Sequence, residues 1–272
     1  MKLPTHNRYD YVPIDRREDY TWPGGKRLAV YFCNNIEYFA FGAGLGSDST
    51  GGPAPQSQRN YAWRDYGNRV GIWRMFDLFD ELACPLAHNL NAMILDHHPQ
   101  IGERMMERGD EFVAHGRTNA ERQGDLWEED EARLIAETTE TIRKFTGRQP
   151  TGWMSPWLSQ SRQSLDLLQE AGYLYQCDWP LDDQPIWMRT RKGRILNMPY
   201  PVETNDSPDD GHAAAYRRRA VGDLDRSVRR DAGAVAERAG AGLPVRAAHV
   251  PSRPAVPAAA VAARDAAHPE AP

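Results

Sequence analysis

Short apolar runs alternate with amphipathic segments along most of the chain. The runs are rich in β-branched and aromatic residues, as buried strands are, whereas the segments between them repeat apolar residues every three to four positions, as helices do. The pattern predicts strands over 27–33, 85–95, 111–114, 151–157, 173–177 and 195–200, and helices over 66–82, 99–108, 128–145 and 161–171. Because strands and helices alternate, we expect an α/β fold with a parallel sheet that closes as a β/α barrel.

The composition changes near Pro208. All eight tryptophans lie before this point, whereas alanine and arginine make up about half of the residues from Gly211 onward. A segment so poor in large apolar side chains cannot offset its ordering entropy, which predicts a disordered tail over 209–272. A reading-frame error is the alternative, because plausible GC-rich codons read from their second base encode a helix-like sequence, Ile-Asp-Gln-Phe-Asp-Glu-Met-Leu-Glu-Gln, under 225–235.

The expected organisation has three parts. These are an N-terminal extension over 1–24, a barrel over 25–208 that is incomplete at its C-terminal end, and the tail over 209–272. The coding DNA around residues 207–210 distinguishes a genuine tail from a frameshift.

Charge and hydropathy exclude several classes of partner. The formal net charge of −5 gives no reason to expect nucleic acid. No apolar run approaches the ~18 residues of a membrane span, and the polar N-terminus lacks the apolar segment of a signal peptide. We expect a cytoplasmic protein with a small-molecule substrate, and homo-oligomerisation stays open. Cys33, Cys84 and Cys177 lie in or beside apolar runs and are expected to be buried free thiols.

Polar residues follow the predicted strands and are the candidate chemical groups. Asn35 and Glu37 come after the first strand, and His115 ends the run Phe112-Val-Ala. Amide hydrolysis needs an activated water, a stabilised oxyanion and a proton for the leaving nitrogen. Glu37 can be the base and His115 the acid or oxyanion donor. A buried structural histidine is the alternative for His115.

Further polar and aromatic residues are candidates for substrate binding. Amide and guanidinium groups can hold carbonyls and ring amides, and tryptophans can wall a pocket. The candidates are Asn35, Arg69, Arg117, Asn119, Trp157, Asp178, Asp183 and Trp187. Turn or cap roles are the alternative for Asp182 and Asp183, which precede Pro185.

Four ordered motifs carry a resemblance to a known family. They are Tyr66-Gly-x-Arg-x-Gly-x-Trp-Arg, Glu111-Phe-Val-Ala-His-Gly, Thr146-Gly-x-x-Pro-x-Gly-Trp and Asp178-x-x-x-Asp-Asp-x-Pro-x-Trp. Together they resemble the polysaccharide deacetylase (NodB-homology) superfamily, and most closely its allantoinase-like branch. The resemblance implies an irregular (β/α)7-type barrel and cleavage of a non-peptide carbon–nitrogen bond.

The chain departs from this family where the metal ligands would be. The family usually has paired aspartates after the first strand and a second histidine four residues after the first, where this chain has Asn34-Asn35 and Asn119. Because zinc needs three or four His, Cys or carboxylate ligands, no zinc cofactor is expected. The predicted function is hydrolysis of a cyclic ureide, imide or related small amide. A metal-dependent deacetylase of N-acetylated sugars is one alternative, and a ligand-binding or inactive truncated barrel is another.

Overall fold

A computed structural model describes residues 3–18, 21–47 and 53–201. Its strands are β1 (Cys33–Ile36), β2 (Leu45–Ser47), β3 (Pro53–Pro55), β4 (Ala87–Leu90), β5 (Glu111–Ala114), β6 (Gly152–Trp153), β7 (Tyr175–Gln176), β8 (Ile186–Arg189) and β9 (Arg194–Asn197). Its helices are α1 (Gln58–Tyr66), α2 (Ile72–Glu81), α3 (Met93–His97), α4 (Pro99–Arg108), α5 (Glu128–Thr146) and α6 (Ser164–Glu170). The predicted tail, 209–272, lies outside the described residues.

Seven strands form one sheet in the order β1-β4-β5-β6-β7-β9-β8. All neighbours are parallel except β8, which pairs antiparallel with β9. The two ends of the parallel series approach each other, because the Asn35 Nδ2 group on β1 donates to the Tyr200 hydroxyl beyond β9 at 3.1 Å. The sheet therefore curls as a barrel does, and the predicted mixed, mostly parallel α/β architecture is confirmed.

Alternation along the strands separates two apolar layers. Ile36, Leu90 and Ala114 belong to the cluster that packs against the helices, together with Ile94 and Leu134. A second, smaller cluster contains Val113, Met154, Tyr175, Cys177 and Leu196. Successive residues of a strand point to opposite faces. A residue directly after Ile36 or Ala114 therefore turns towards the second cluster and the barrel interior.

The boundaries of α4 and α5 were predictable from the sequence. α4 has the predicted bounds, and α5 extends one residue past the predicted end. Each helix ends at a glycine in the left-handed region, Gly109 at φ +73° and Gly147 at φ +72°, a conformation that glycine adopts without steric cost.

The first strand lies later in the chain than the apolar pattern predicts. β1 covers Cys33–Ile36 rather than 27–33, and Leu28 and Val30 are exposed. The ladder to β4 begins where the Ala87 N–H donates to the Phe32 carbonyl at 3.0 Å. The next residue back on this side of β4 is Pro85, which has no N–H to donate to β1.

The predicted helix over 66–82 begins earlier than expected. Ser57 caps α1 by accepting a hydrogen bond from the Asn60 N–H at 3.1 Å. A π-helical segment, Gly67–Gly71, then joins α1 to α2 without a break. The early start matters for the site, because it places Arg64 on a helix beside the end of β1.

The N-terminal segment packs on the edge of the sheet. The Arg189 N–H of β8 donates to the Arg8 carbonyl at 2.7 Å, and the Arg8 guanidinium pairs with Asp166 on α6. Arg17 pairs with Asp182 at 2.5 Å. An edge strand offers unpaired backbone groups to other chains, and this segment covers part of that edge.

Candidate active site

Glu37 and His115 lie together at the carboxyl ends of β1 and β5. Each residue directly follows its strand. Because β1 and β5 are parallel and only β4 lies between them, their carboxyl ends lie at the same mouth of the barrel. The distance from His115 Nε2 to Glu37 Oε1 is 4.0 Å. The predicted proximity of the two side chains is confirmed, and their catalytic roles remain a prediction.

His115 is a neutral imidazole with one ring nitrogen aimed at Glu37. Its Nδ1 lies 2.6 Å from the Met154 carbonyl, an acceptor, so the ring proton is assigned to Nδ1. Burial lowers the pKa of His115 to about 4, although the bond to Met154 opposes the shift. Nε2 is therefore a buried lone pair, with no hydrogen-bond partner among the residues that the structure describes. In this state Nε2 is an acceptor, and the predicted role of His115 as acid or oxyanion donor, which requires the protonated ring, stays a prediction.

Arg64 holds the second oxygen of Glu37. Its guanidinium donates to Glu37 Oε2 at 3.1 Å and lies 4.0 Å from the centre of the Phe39 ring. The contact fixes the orientation of the carboxylate and places a positive charge beside it. The sequence did not indicate Arg64 as a site residue, because the predicted helix began two residues later. The signal that could have placed Arg64 on a helix was Ser57, which caps α1.

Amide side chains link the loops around the pair. Asn91 donates to the carbonyl of His115 and, at 3.0 Å, to Asn119 Oδ1. Its own oxygen accepts from the Tyr38 N–H at 2.8 Å. One lone pair of the Asn119 oxygen is thus taken by Asn91, and the amino group is the donor that Asn119 can offer a ligand. Asn91 directly follows β4, so its position after a strand was the signal that the sequence analysis overlooked.

Asn35 lies on β1 itself, two residues before Glu37, and is exposed. Its oxygen accepts from Asn89 at 2.7 Å, and its amino group donates to the hydroxyl of Tyr200. These bonds join β1 to β4 and to the segment after β9. The structure thus shows Asn35 bridging parts of the barrel, and a substrate-binding role remains a prediction.

Two predicted tryptophans lie in different surroundings. Trp157 donates to the carbonyl of Asn119 at 3.0 Å and meets Phe39 edge to face, so it borders the Glu37 site. Its φ is +63° and that of Leu158 is +50°, conformations that cost about 1–3 kcal/mol each. Trp187 instead packs on the inner cluster and beneath Arg194, 5.0 Å from the guanidinium carbon.

Three charged candidates have other surroundings than predicted. Arg69 is exposed and pairs with Asp65 on its own helix, so Arg64 and not Arg69 is the cation at Glu37. Arg117 makes a two-pronged contact with Glu121 at 2.8–2.9 Å and a third bond to Glu137. Asp183 is exposed. Neighbouring carboxylates thus take up donors of Arg69 and Arg117 that the prediction assigned to substrate.

Asp178 is buried and bonded within the protein, which corrects its predicted role as a substrate ligand. Its oxygens accept from the Ser155 N–H and the Ser155 hydroxyl, each at 2.7 Å, and from Gln160. Burial raises the pKa of Asp178 to about 6, and these donors oppose the shift. Asp182 likewise serves structure, because it accepts from the Gln184 N–H and pairs with Arg17.

The residues around Glu37 do not fit a zinc ion. Zinc sites use three or more His, Cys or carboxylate ligands, and no three such groups come together within residues 3–18, 21–47 and 53–201. Asn35 and Asn119 stand where the resemblance implies ligands, and their oxygens already accept hydrogen bonds from Asn89 and Asn91. The chemistry proposed for this site therefore rests on protein groups alone.

Gly116 fixes the turn that follows His115. Its φ is +63°, and a Cβ placed there would lie 2.8 Å from Cγ of Pro156. Gly109 has a similar φ of +73° with nothing within 4 Å. We expect Gly109→Ala to lose about 1–2 kcal/mol of unfolding free energy from the backbone alone, and Gly116→Ala to lose more because of the clash. Urea unfolding of both variants measures the difference, and equal losses would contradict the close packing of this turn.

Comparisons with known proteins agree on one family. A family model described as polysaccharide deacetylase matches residues 61–176. A putative polysaccharide deacetylase of Schizosaccharomyces pombe is 25% identical over 199 residues, covering 67% of this chain and 61% of that protein. The chain spans less than two thirds of the length of the curated relatives that it matches.

Solved structures give the same result. The crystal structure of the PuuE allantoinase has a TM-score of 0.63 and 26% identity, covering 73% of this chain and 72% of that chain. A probable polysaccharide deacetylase from Pseudomonas aeruginosa PAO1 also has a TM-score of 0.63, with 25% identity and coverage of 76% and 75%. These neighbours are (β/α)7 barrels, so the predicted fold class is confirmed. Among the described residues, no helix has the length and apolar character needed to cross a membrane.

Proposed function

Because the chain belongs to the polysaccharide deacetylase (NodB-homology) superfamily, we propose that it hydrolyses a non-peptide carbon–nitrogen bond in a small amide, with a cyclic ureide or imide as substrate. The observation that carries this proposal is the pairing of Glu37 with the lone pair of His115 at 4.0 Å, in a site whose side chains do not fit zinc. The likeness to a structure named as an allantoinase favours a ureide.

Glu37 and His115 can position one water as the nucleophile. A water bonds acceptors at about 2.8 Å, so a single molecule can donate to Glu37 Oε1 and His115 Nε2 across their 4.0 Å separation. Glu37 takes the proton as the water oxygen attacks the carbonyl carbon. Arg64 holds the other carboxylate oxygen in place during the attack. The amino group of Asn119 is the donor proposed for the oxyanion.

Collapse of the tetrahedral intermediate needs a proton on the leaving nitrogen. The proton gained by Glu37 can pass directly to that nitrogen, or through Nε2 of His115, which becomes a donor once it is protonated. When a cyclic amide is cleaved, its leaving nitrogen stays tethered to the acyl part of the product. The nitrogen is therefore held in position for protonation, whereas a free amine can leave the site. This favours a cyclic substrate over an acyclic one.

A metal-dependent deacetylase of N-acetylated sugars is the second candidate. The family match and the names of the curated relatives, which are deacetylases, favour it. Hydrolysis of an N-acetylglucosamine oligomer, with no hydrolysis of hydantoin as a cyclic ureide, would support it over the first candidate. Binding of either compound without turnover would support a ligand-binding barrel.

Activity is expected to survive removal of divalent metal. The purified protein, dialysed against EDTA, should hydrolyse its ureide or imide substrate at the rate of the untreated protein, because Glu37, His115 and Arg64 supply the chemistry without a metal. Added zinc should give no increase. A rate that EDTA abolishes and zinc restores would overturn the proposal in favour of the deacetylase.

A further inference from the structure

One peptide group connects Asp178 to His115. The Met154 carbonyl accepts the Nδ1–H of His115 at 2.6 Å, and the N–H of the same peptide, that of Ser155, donates to Asp178 Oδ1 at 2.7 Å. The carboxylate and the imidazole therefore hold opposite ends of a single amide dipole. Asp178 has no direct contact with His115 in these bonds, and its influence passes through the peptide.

We propose that Asp178 is a positioning residue that fixes the tautomer and orientation of His115 through the Met154–Ser155 peptide. A carboxylate that accepts the N–H polarises the amide and strengthens its carbonyl as an acceptor, since hydrogen bonds in a chain reinforce one another. A stronger acceptor keeps the proton on Nδ1. Nε2 then stays a lone pair directed at Glu37, as the proposed water activation requires.

The surroundings of Asp178 fit this role. Its other oxygen accepts from the Ser155 hydroxyl and from Gln160, so the carboxylate is held in place by three donors. Gln160 is oriented in turn, because its oxygen accepts from Trp179 at 2.7 Å. Asp178 is 6% exposed, which puts it out of reach of a substrate and leaves it within reach of the peptide.

The test is Asp178→Asn, which keeps the shape and removes the charge. ¹⁵N spectra of the two His115 ring nitrogens report the tautomer without any substrate, so this result is independent of the proposed function. We expect the unmodified protein to show a single Nδ1-protonated form and the variant to show a mixture. Once a substrate is known, kcat for its hydrolysis should fall about 10–100-fold with little change in KM. Losses of this size are typical when a residue that orients a functional side chain is replaced.

Asp166→Asn is the matched control. Asp166 is also a buried carboxylate, but it accepts from Arg8 and from the Arg191 N–H rather than from this peptide. Its variant should lose stability while the His115 tautomer and kcat stay unchanged. A single Nδ1-protonated form in Asp178→Asn would overturn the proposal.

A reciprocal measurement covers the case in which Asp178→Asn does not fold. In His115→Leu the carboxylate is untouched, and the Met154 carbonyl loses the donor that Nδ1 of His115 supplies. The amide proton of Ser155 should then move upfield as its bond to Asp178 weakens. An unchanged Ser155 amide proton would contradict coupling through the peptide.

Discussion

Replacing Glu37 with glutamine should abolish most of the hydrolytic activity. The substitution keeps the size of the side chain but removes the carboxylate that is proposed to take the proton from the water beside His115. Loss of a general base typically costs about 10²–10⁴-fold in rate. The amide oxygen of the introduced glutamine can still accept a hydrogen bond from Arg64, so the fold is expected to survive. Steady-state kinetics on the folded variant measure the loss.

Glu107→Gln is the matched control for this prediction. Glu107 lies on the surface of α4, 67% exposed, and pairs with Arg104 three residues earlier. Its replacement should leave kcat and KM unchanged, since exposed ion pairs contribute little. A Glu37→Gln protein that retains full activity would show that another group activates the water.

The sequence located the helices better than the strands, for a physical reason. The ends of α4 and α5 are set locally, by glycines in left-handed conformations, and local signals are readable from one sequence. The start of β1 is set by its partner. The pairing of β1 with β4 begins at Ala87, just after Pro85 and Leu86. Apolar content alone could not reveal which residues of the two strands lie opposite each other. β8 was missed although its antiparallel partner β9 follows it after only four residues, because Trp187 had been assigned to a substrate-binding motif.

The candidate site likewise contains residues whose positions could be predicted from the sequence and residues whose positions could not. Glu37 and His115 could be predicted together because each directly follows a parallel strand, and such ends converge whatever the loops do. The fate of the charged side chains could not be predicted. Arg117 is held by Glu121 and Glu137, and Asp178 by Ser155, through contacts that depend on packing of the finished fold.

His115 and Asp178 should make opposite contributions to stability between about pH 4 and pH 6.5. Burial lowers the pKa of His115 from 6.5 to about 4, so in this range the unfolded state binds a proton that the folded state does not. This contribution to stability is present above pH 6.5 and is lost as the pH falls towards 4. At about 1.4 kcal/mol for each pKa unit, it amounts to about 3 kcal/mol.

Asp178 acts in the reverse direction. Burial raises its pKa from 3.8 to about 6, so between these values the folded state binds the extra proton. Its contribution is present below pH 3.8 and is lost as the pH rises through 6, again by about 3 kcal/mol. Since both side chains are buried, the two effects largely offset each other in the unmodified protein, apart from what the other carboxylates add.

Single variants should therefore separate the pH dependence of the unfolding free energy that comes from His115 from that which comes from Asp178. The unfolding free energy of His115→Gln, measured by urea denaturation at intervals from pH 4 to pH 6.5, should fall relative to the unmodified protein as the pH rises, by about 3 kcal/mol over the range. That of Asp178→Asn should rise relative to the unmodified protein by a similar amount, and Glu107→Gln should track the unmodified protein throughout. Parallel curves for all four proteins would mean that neither buried group keeps its shifted pKa. The neutral His115 on which water activation depends would then lose its basis, because a histidine that titrates at its ordinary value is substantially protonated below pH 6.5.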